Sequence, residues 1–287
     1  MICKLYLFLF ITLIINSSLF STERIVTIGG TATELVFALG AGEKVVAVDQ
    51  SSLHPTKVRS LPQVGYIRMI SSEGILALEP TQIITSSEIG PKETLEQLRE
   101  TAIPITVIQS PNSVDELYEA IDLIGEALNS SEEASRLKAK VNQGLNELKM
   151  PSQEIGVLFL MHHPYANSSL NAAGKYTKAN TIIDLAGAKN LIDSHNGYKN
   201  ITEEAILSLN PSVILLGVPE NLDSENETIL GKFYTNPLLQ NVRAIKDKGV
   251  CIVPLSKTLS FSHRIHETMN QLTSIFEKSI QINAKND

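Results

Sequence analysis

The chain has 287 residues, of which 43% are hydrophobic and 19% charged, and its formal net charge is −7. That composition marks a globular protein long enough for one large or two medium domains, and two is the expected number. An acidic balance, without a basic run or a low-complexity tract, argues against nucleic acid as a partner.

Met1 to Lys4, the apolar run Leu5 to Ile15 and the small residues Ser17 and Ser18 have the layout of a secretory signal peptide. A membrane anchor needs about 20 apolar residues, more than this run supplies. Residues 1–22 are expected to be removed, with cleavage between Ser18 and Glu23, leaving a soluble mature chain. Loss of Lys4 takes the charge to about −8. Cys3 precedes the apolar run, the wrong place for a lipid anchor. Cys251 is then alone, so no internal disulfide is available to an exported chain.

The β-branched run Arg24 to Ile28 predicts a strand. Gly29 and Gly30 follow, and Thr31 with Glu34 fits the capping box of a helix ending at Leu39. Lys44 to Val48 predicts a second strand that ends at Asp49, about 20 positions after the glycines, which outlines a dinucleotide-binding opening. Against that reading, two adjacent glycines replace three spaced ones, and Glu34 sets negative charge where a pyrophosphate would lie.

The stretch Val64 to Ile84 is the densest in chemistry. Gly65 permits an unusual backbone angle and a close approach, and Tyr66 and Arg68 follow it in a loop. Ser71 is a good N-cap, Glu73 falls in the first turn of a short helix, and Pro80 leads into a strand. Next come a helix from Lys92 to Glu100 and a strand from Ile105 to Ile108. Ser113 and Glu116 form a capping box for a helix to Leu128, and a polar-faced helix runs from Ser131 to Lys149, roughly 28 Å long.

Past Pro151 the alternation resumes, with strands at Ile155 to Met161, Val213 to Gly217 and Val250 to Val253, and helices at Asn180 to Ala186 and Arg264 to Lys278. A faint repeat relates the halves: Glu73-Gly-Ile-Leu-Ala-Leu-Glu-Pro-Thr-Gln-Ile-Ile matches Glu204-Ala-Ile-Leu-Ser-Leu-Asn-Pro-Ser-Val-Ile-Leu. The common helix-proline-strand joint explains the apolar positions, but not a glutamate in the first turn of both units. The expected architecture is α/β, with two Rossmann-like lobes joined by a long linker helix and a ligand in the cleft between them. Residues 23–130 form the N-terminal lobe, 131–150 the linker helix and 151–287 the C-terminal lobe.

No Ser-His-Asp set, Gly-x-Ser-x-Gly elbow or P-loop occurs, so catalysis has no candidate group and the chain is read as a non-enzyme. Tyr66 is either a packed tyrosine or a ligand. Ionising a phenol at pH 7 costs roughly 4 kcal/mol, which a ferric iron and a nearby guanidinium such as Arg68 can supply, and tyrosinate is an axial ligand of haem iron. Alternatively, Arg68 pairs with a surface carboxylate. His162 and His163 follow a predicted strand, where open α/β sheets carry ligand-binding residues, although a structural role fits as well. His263 and His266 share a face if helical, without a companion at zinc spacing.

Gly29-Gly30-Thr-Ala-Thr-Glu34, Leu61-Pro-Gln-Val-Gly-Tyr-Ile-Arg68 and Ser72-Glu-Gly-Ile-Leu76 resemble the periplasmic haem-binding proteins of bacterial haem ABC importers. The likeness runs from about Arg24 to Phe276 and is densest before Pro80. The wider superfamily of cobalamin and ferric-siderophore binding proteins shares the lobes and linking helix, but not Gly-Tyr-x-Arg, and such a carrier is the alternative. The resemblance implies Tyr66 as axial ligand to the iron of haem b (hemin), a transported ligand, with Arg68 as its charge partner. It implies His163, then His162, as second-lobe ligand candidates, Arg264 near the cleft for a propionate, and Glu73 and Glu204 as carboxylates that dock on permease arginines. The implied partners are an inner-membrane ABC permease with its cytoplasmic ATPase and a haem donor such as an outer-membrane receptor, and the implied location is the periplasm. The chain departs from the family in carrying His162-His163-Pro164-Tyr165 where relatives have small residues.

Overall fold

A computed structural model describes residues 23–162 and 170–286. The expected signal peptide, 1–22, and His163 lie outside the described residues.

Strands β1 (Ile25–Ile28), β2 (Val45–Val48), β3 (Gln82–Ser86) and β4 (Ile105–Ile108) form a parallel sheet in the order β2-β1-β3-β4. Helices α1 (Gly30–Ala38), α2 (Ser72–Leu76), α3 (Lys92–Arg99) and α4 (Val114–Ala127) alternate with these strands, and α5 (Ser131–Asn146) leads into the second half. There the chain runs through β5 (Gly156–His162), β6 (Leu170–Ala173), α6 (Lys178–Leu185), β7 (Lys189–Asn190), β8 (Tyr198–Ile201) and α7 (Glu203–Leu209). It finishes with β9 (Val213–Val218), α8 (Asn226–Thr235), α9 (Arg243–Lys246), β10 (Val250–Pro254), α10 (Leu255–Leu259) and α11 (Ile265–Asn286). The second sheet has the order β10-β9-β5-β6-β8, with β7 beside the start of β5.

Parallel strands covered on both faces are apolar throughout, and every residue of β1 and β9 is buried. Successive side chains divide between two cores. In the second half, Phe159 and Leu215 join a cluster that also holds Leu35, Ile121 and Phe276 from both halves. Leu158, Leu160, Ile214 and Leu216 point to the other side of their sheet.

The structure departs from the expected pattern in three places. The second sheet is mixed, because β6 pairs antiparallel with both β5 and β8. Only seven residues separate β5 from β6, too few for a parallel crossover, which needs about a dozen or more, and the two strands accordingly run antiparallel. The helix expected to reach Lys149 ends at Asn146, giving 16 residues and a length of about 24 Å. Pro151, which disfavours helical backbone at the residue before it, lies a few positions on. The closing helix begins at Ile265 and continues beyond Lys278 to Asn286, because Ile280 and Asn283 extend the inward face begun by Leu272 and Phe276.

The connecting helix α5 is held on both sides by close approaches at glycine. A Cβ on Gly125 of α4 would lie 2.6 Å from Cβ of Ala134, and one on Gly144 of α5 would lie 2.6 Å from the His266 ring of α11. Gly125→Ala gains about 1 kcal/mol of helix propensity but meets an overpacking cost of about 1–3 kcal/mol. We expect a lower melting temperature by circular dichroism; a variant as stable as the parent would show that α4 and α5 are free to separate.

Candidate functional site

The loops that follow the carboxyl ends of all four strands of the first sheet converge on one cleft of about 420 Å³. Gly29 and Gly30 follow β1, Gln50 and Ser51 follow β2, Ser86 ends β3, and Ser110 lies after β4. Lys178 and the segment around Leu255 and Leu259 supply the facing wall from the second half. A crevice beyond the carboxyl ends of parallel strands is where open α/β sheets bind ligands.

The glycine turn is built differently from the expected capping box. Gly29, at φ +100°, is the N-cap, so α1 starts one residue before Thr31 and no side chain caps it. A Cβ on Gly29 would sit 2.9 Å from Cβ of Ser86. Buried Asp49 accepts from the Gly29 N–H at 2.7 Å, from Ser52 Oγ at 2.6 Å and from the N–H and Oγ of Ser51. Both Asp49 oxygens serve the turn itself, which leaves the dinucleotide reading without its acidic residue. Glu34 leaves the helix start altogether and reaches the second half of the chain.

There Glu34, 4% exposed, accepts from Arg264 Nε at 2.9 Å and Nη2 at 2.8 Å, from Ser262 Oγ at 2.7 Å and from Ser260 Oγ at 3.2 Å. Burial pushes the Glu34 carboxyl up, but the hydrogen bonds from Arg264 and Ser262 and the Arg264 charge outweigh it and hold the group below the usual carboxylate range. Across the same seam Lys178 Nζ donates to Ser110 Oγ at 2.7 Å and Thr181 Oγ1 donates to Asn112 Oδ1 at 3.3 Å.

Tyr66 lines the cleft on a backbone that is pinned on either side. Gly65, at φ +109°, accepts from the Gln50 N–H at 2.9 Å; Ile67 accepts from the Gly90 N–H at 2.8 Å. Just before it, the Val48 N–H donates to the Pro62 carbonyl and the Val48 carbonyl accepts from the Val64 N–H, both at 3.0 Å, so the loop is stitched to the first sheet. The Tyr66 side chain is 47% exposed, and among the described residues nothing hydrogen-bonds its hydroxyl. Arg68 also lines the cleft and pairs with Glu88 at 3.2 Å, a carboxylate of the same wall.

The remaining candidates divide. His162 ends β5, partly buried. Arg264 lies behind Glu34, and a ligand propionate would have to compete with that carboxylate for it. His266 packs on Gly144 within the helix crossing, and burial lowers the pKa of His263, just before α11. Among the described residues no cluster of three or more His, Cys, Asp and Glu could hold a metal ion. Glu73 and Glu204 are exposed and occupy the same place, the second residue of α2 and α7, whose N-caps Ser71 and Thr202 accept from the Gly74 and Ala205 N–H groups at 3.5 and 3.3 Å. Its own backbone N–H and the Thr202 hydroxyl hold the Glu204 carboxyl below its usual range. Sequence reasoning missed His54, Glu88, Ser110 and Lys178. The rule that ligand residues follow strand ends points to Ser110 and Glu88, but no sequence pattern marks Lys178.

The family described as periplasmic binding protein matches residues 25–255. An uncharacterised ABC transporter substrate-binding lipoprotein of Bacillus subtilis, YvrC, is 27% identical over 200 residues, 67% of this chain and 63% of that protein, so the match spans just under two thirds of its length. The vitamin B12-binding protein of Pectobacterium atrosepticum is 27% identical over 200 residues, 68% of this chain and 71% of that protein. Among solved structures, the periplasmic haem-binding protein HutB of Vibrio cholerae is 32% identical, with a TM-score of 0.78 over 89% of this chain and 99% of that one.

Removing one partner of a buried ion pair leaves the other charge uncompensated and costs about 3–5 kcal/mol. We expect Glu34→Ala to lose about that much in urea unfolding followed by circular dichroism, and Glu34→Ala with Arg264→Ala to lose less than the two single losses added. Because the folded-state pKa of Glu34 lies below its unfolded value, near 4.3, the pair stabilises at neutral pH and its contribution fades as pH falls through and below that value. Glu34→Gln should flatten the acid limb of the stability curve; an unchanged limb would exclude Glu34 as its source.

Proposed function

The chain belongs to the periplasmic binding protein family, and from that premise we propose that it binds haem between its lobes and delivers it to an inner-membrane ABC importer. The observation that carries this reading is Tyr66: an accessible phenol without a hydrogen-bond partner among the described residues, on a rigid backbone, at a cleft whose walls also offer Ile67, Leu53, Leu255 and Leu259. Apolar walls cover a flat macrocycle, but they do not select ferric iron. A phenolate does, as an anionic oxygen ligand, and the iron supplies most of the pull on its proton. The likeness to the Vibrio haem-binding protein supports the same cargo.

Residues 23–130 and 151–287 serve as the two lobes and 131–150 as their connector. The mature chain works in the periplasm after loss of residues 1–22, as a carrier and not as an enzyme. His162 and His163 stand as candidates for a second ligand from the C-terminal lobe. The second reading is a corrinoid or ferric siderophore, and the likeness to a vitamin B12-binding protein supports the corrinoid.

Glu73 and Glu204, exposed at matching positions of the two units, are the contacts for arginines of a permease driven by a cytoplasmic ATPase, with an outer-membrane receptor as haem donor. Contacts built on exposed charges weaken with salt. Glu73→Ala with Glu204→Ala should leave hemin affinity intact and reduce transporter-dependent uptake several-fold. Normal uptake by the double variant would return both residues to a plain helix-start role.

The cargo is tested by absorbance titration with hemin, since the chain has no tryptophan to report binding. The parent protein should give a high-spin ferric spectrum with a phenolate charge-transfer band. Tyr66→Ala should lose that band and bind at least tenfold more weakly, about 1.4 kcal/mol or more. Retention of both affinity and band by Tyr66→Ala would move the iron ligand elsewhere.

A further inference from the structure

The charges that line the cleft are almost all matched within the protein. Glu34 is taken by Arg264, and Arg68 by Glu88. Lys178 is the exception: among the described residues it is the lining cation whose only close partner is a neutral hydroxyl, that of Ser110 at 2.7 Å.

Apart from the bond to Ser110, nothing among the described residues stabilises a lysine there. It is partly buried, and burial draws the ammonium pKa down, with Glu88 and Glu116 opposing this only from a distance. Both of those carboxylates are already engaged, Glu88 by Arg68 and Glu116 by the Asn112 N–H at 2.7 Å. Lys178 is also the first residue of α6, where the positive end of the helix dipole disfavours a cation. A charge moved out of water needs a partner, and one left unmatched costs stability. An anion entering the cleft would turn these costs around, because it would meet both the ammonium and the helix end.

Resting on the haem reading above, we propose that Lys178 is the anion subsite of the cleft, pairing with a carboxylate of the bound cargo, which for haem is a propionate. Arg264, the candidate raised by the sequence, is partly buried and bidentate on Glu34, whereas Lys178 has only a hydroxyl to give up. Because Ser110 follows β4 of the first sheet and Lys178 opens α6 of the second half, the Lys178–Ser110 bond also closes the seam before cargo arrives. The cargo carboxylate takes the place of Ser110 on the ammonium, so that cargo replaces a contact between the lobes.

The test crosses two proteins with two ligands: the parent and Lys178→Met, each titrated with hemin and with hemin dimethyl ester, in which both propionates are neutral. We expect Lys178→Met to weaken hemin by about tenfold or more, esterification to weaken binding to the parent by a similar factor, and the two changes together to cost no more than either alone. Lys178→Arg should recover most of the hemin affinity. Since the substitution removes an unmatched cation, the melting temperature of ligand-free Lys178→Met should stay level or rise. Equal hemin affinity in parent and variant, or an equal loss for hemin and its ester, would overturn the proposal, as would a fall in ligand-free melting temperature that tracks the lost affinity. Failure of the parent itself to bind hemin would bring down the haem reading and this subsite together, and would show before any substitution was made.

Discussion

A carboxylate on the first helix and a guanidinium just ahead of the last one meet in a two-pronged contact at 2.8 and 2.9 Å, with two serine hydroxyls closing the remaining positions around the carboxylate. Glu34 and Arg264 are 230 positions apart in the chain, so the contact fixes the two halves against each other more directly than any local element. The cleft depends on that constraint. Its first wall is the set of loops after the strands of one parallel sheet, its second is the α6 and α10 region, and both need a defined separation to hold a ligand between them. The α5 connector, held at glycines against α4 and α11, resists bending in a way that a loop hinge does not.

Within that frame the site divides its chemistry by charge. Paired groups set shape: Asp49 ties down the glycine turn, Glu34 joins the lobes, and Glu88 holds Arg68 at the rim. In the reading proposed above, groups without a matched partner among the described residues face the ligand: Tyr66 would offer an anionic oxygen once its proton is displaced, and Lys178 a cation. A ferric porphyrin with propionate arms is complementary to that combination, hard Lewis acid to phenolate and carboxylate to ammonium, with apolar side chains for the ring. A cargo without accessible iron would leave the tyrosine unused.

Much of this was legible in the sequence, for identifiable reasons. Parallel strands buried on both faces read as apolar runs, which is why Val213 to Gly217 is found to within one residue of β9. Local signals such as Ser113 before α4 and the matching caps before Glu73 and Glu204 depend on a few consecutive residues. The antiparallel β6 and β8 escaped because short, half-exposed strands carry little period, and only the short link between β5 and β6 sets the direction of β6. Glu34 misled because a glutamate three positions after a threonine satisfies the capping pattern, while its real partner lies at the far end of the chain. Lys178 gave no sequence signal at all: its character comes from the absence, among the described residues, of a carboxylate beside it, which only the folded arrangement decides.

The central claim, that one phenolate in a cleft between lobes holds ferric iron, is tested most directly by a crystal structure of the protein grown with hemin. The account predicts an iron atom in the cleft bonded to Oη of Tyr66, with the porphyrin ring between Ile67 on one wall and Leu255 and Leu259 on the other. Iron bound through His162 or His163 with Tyr66 turned away, or hemin lying outside the cleft, would contradict it.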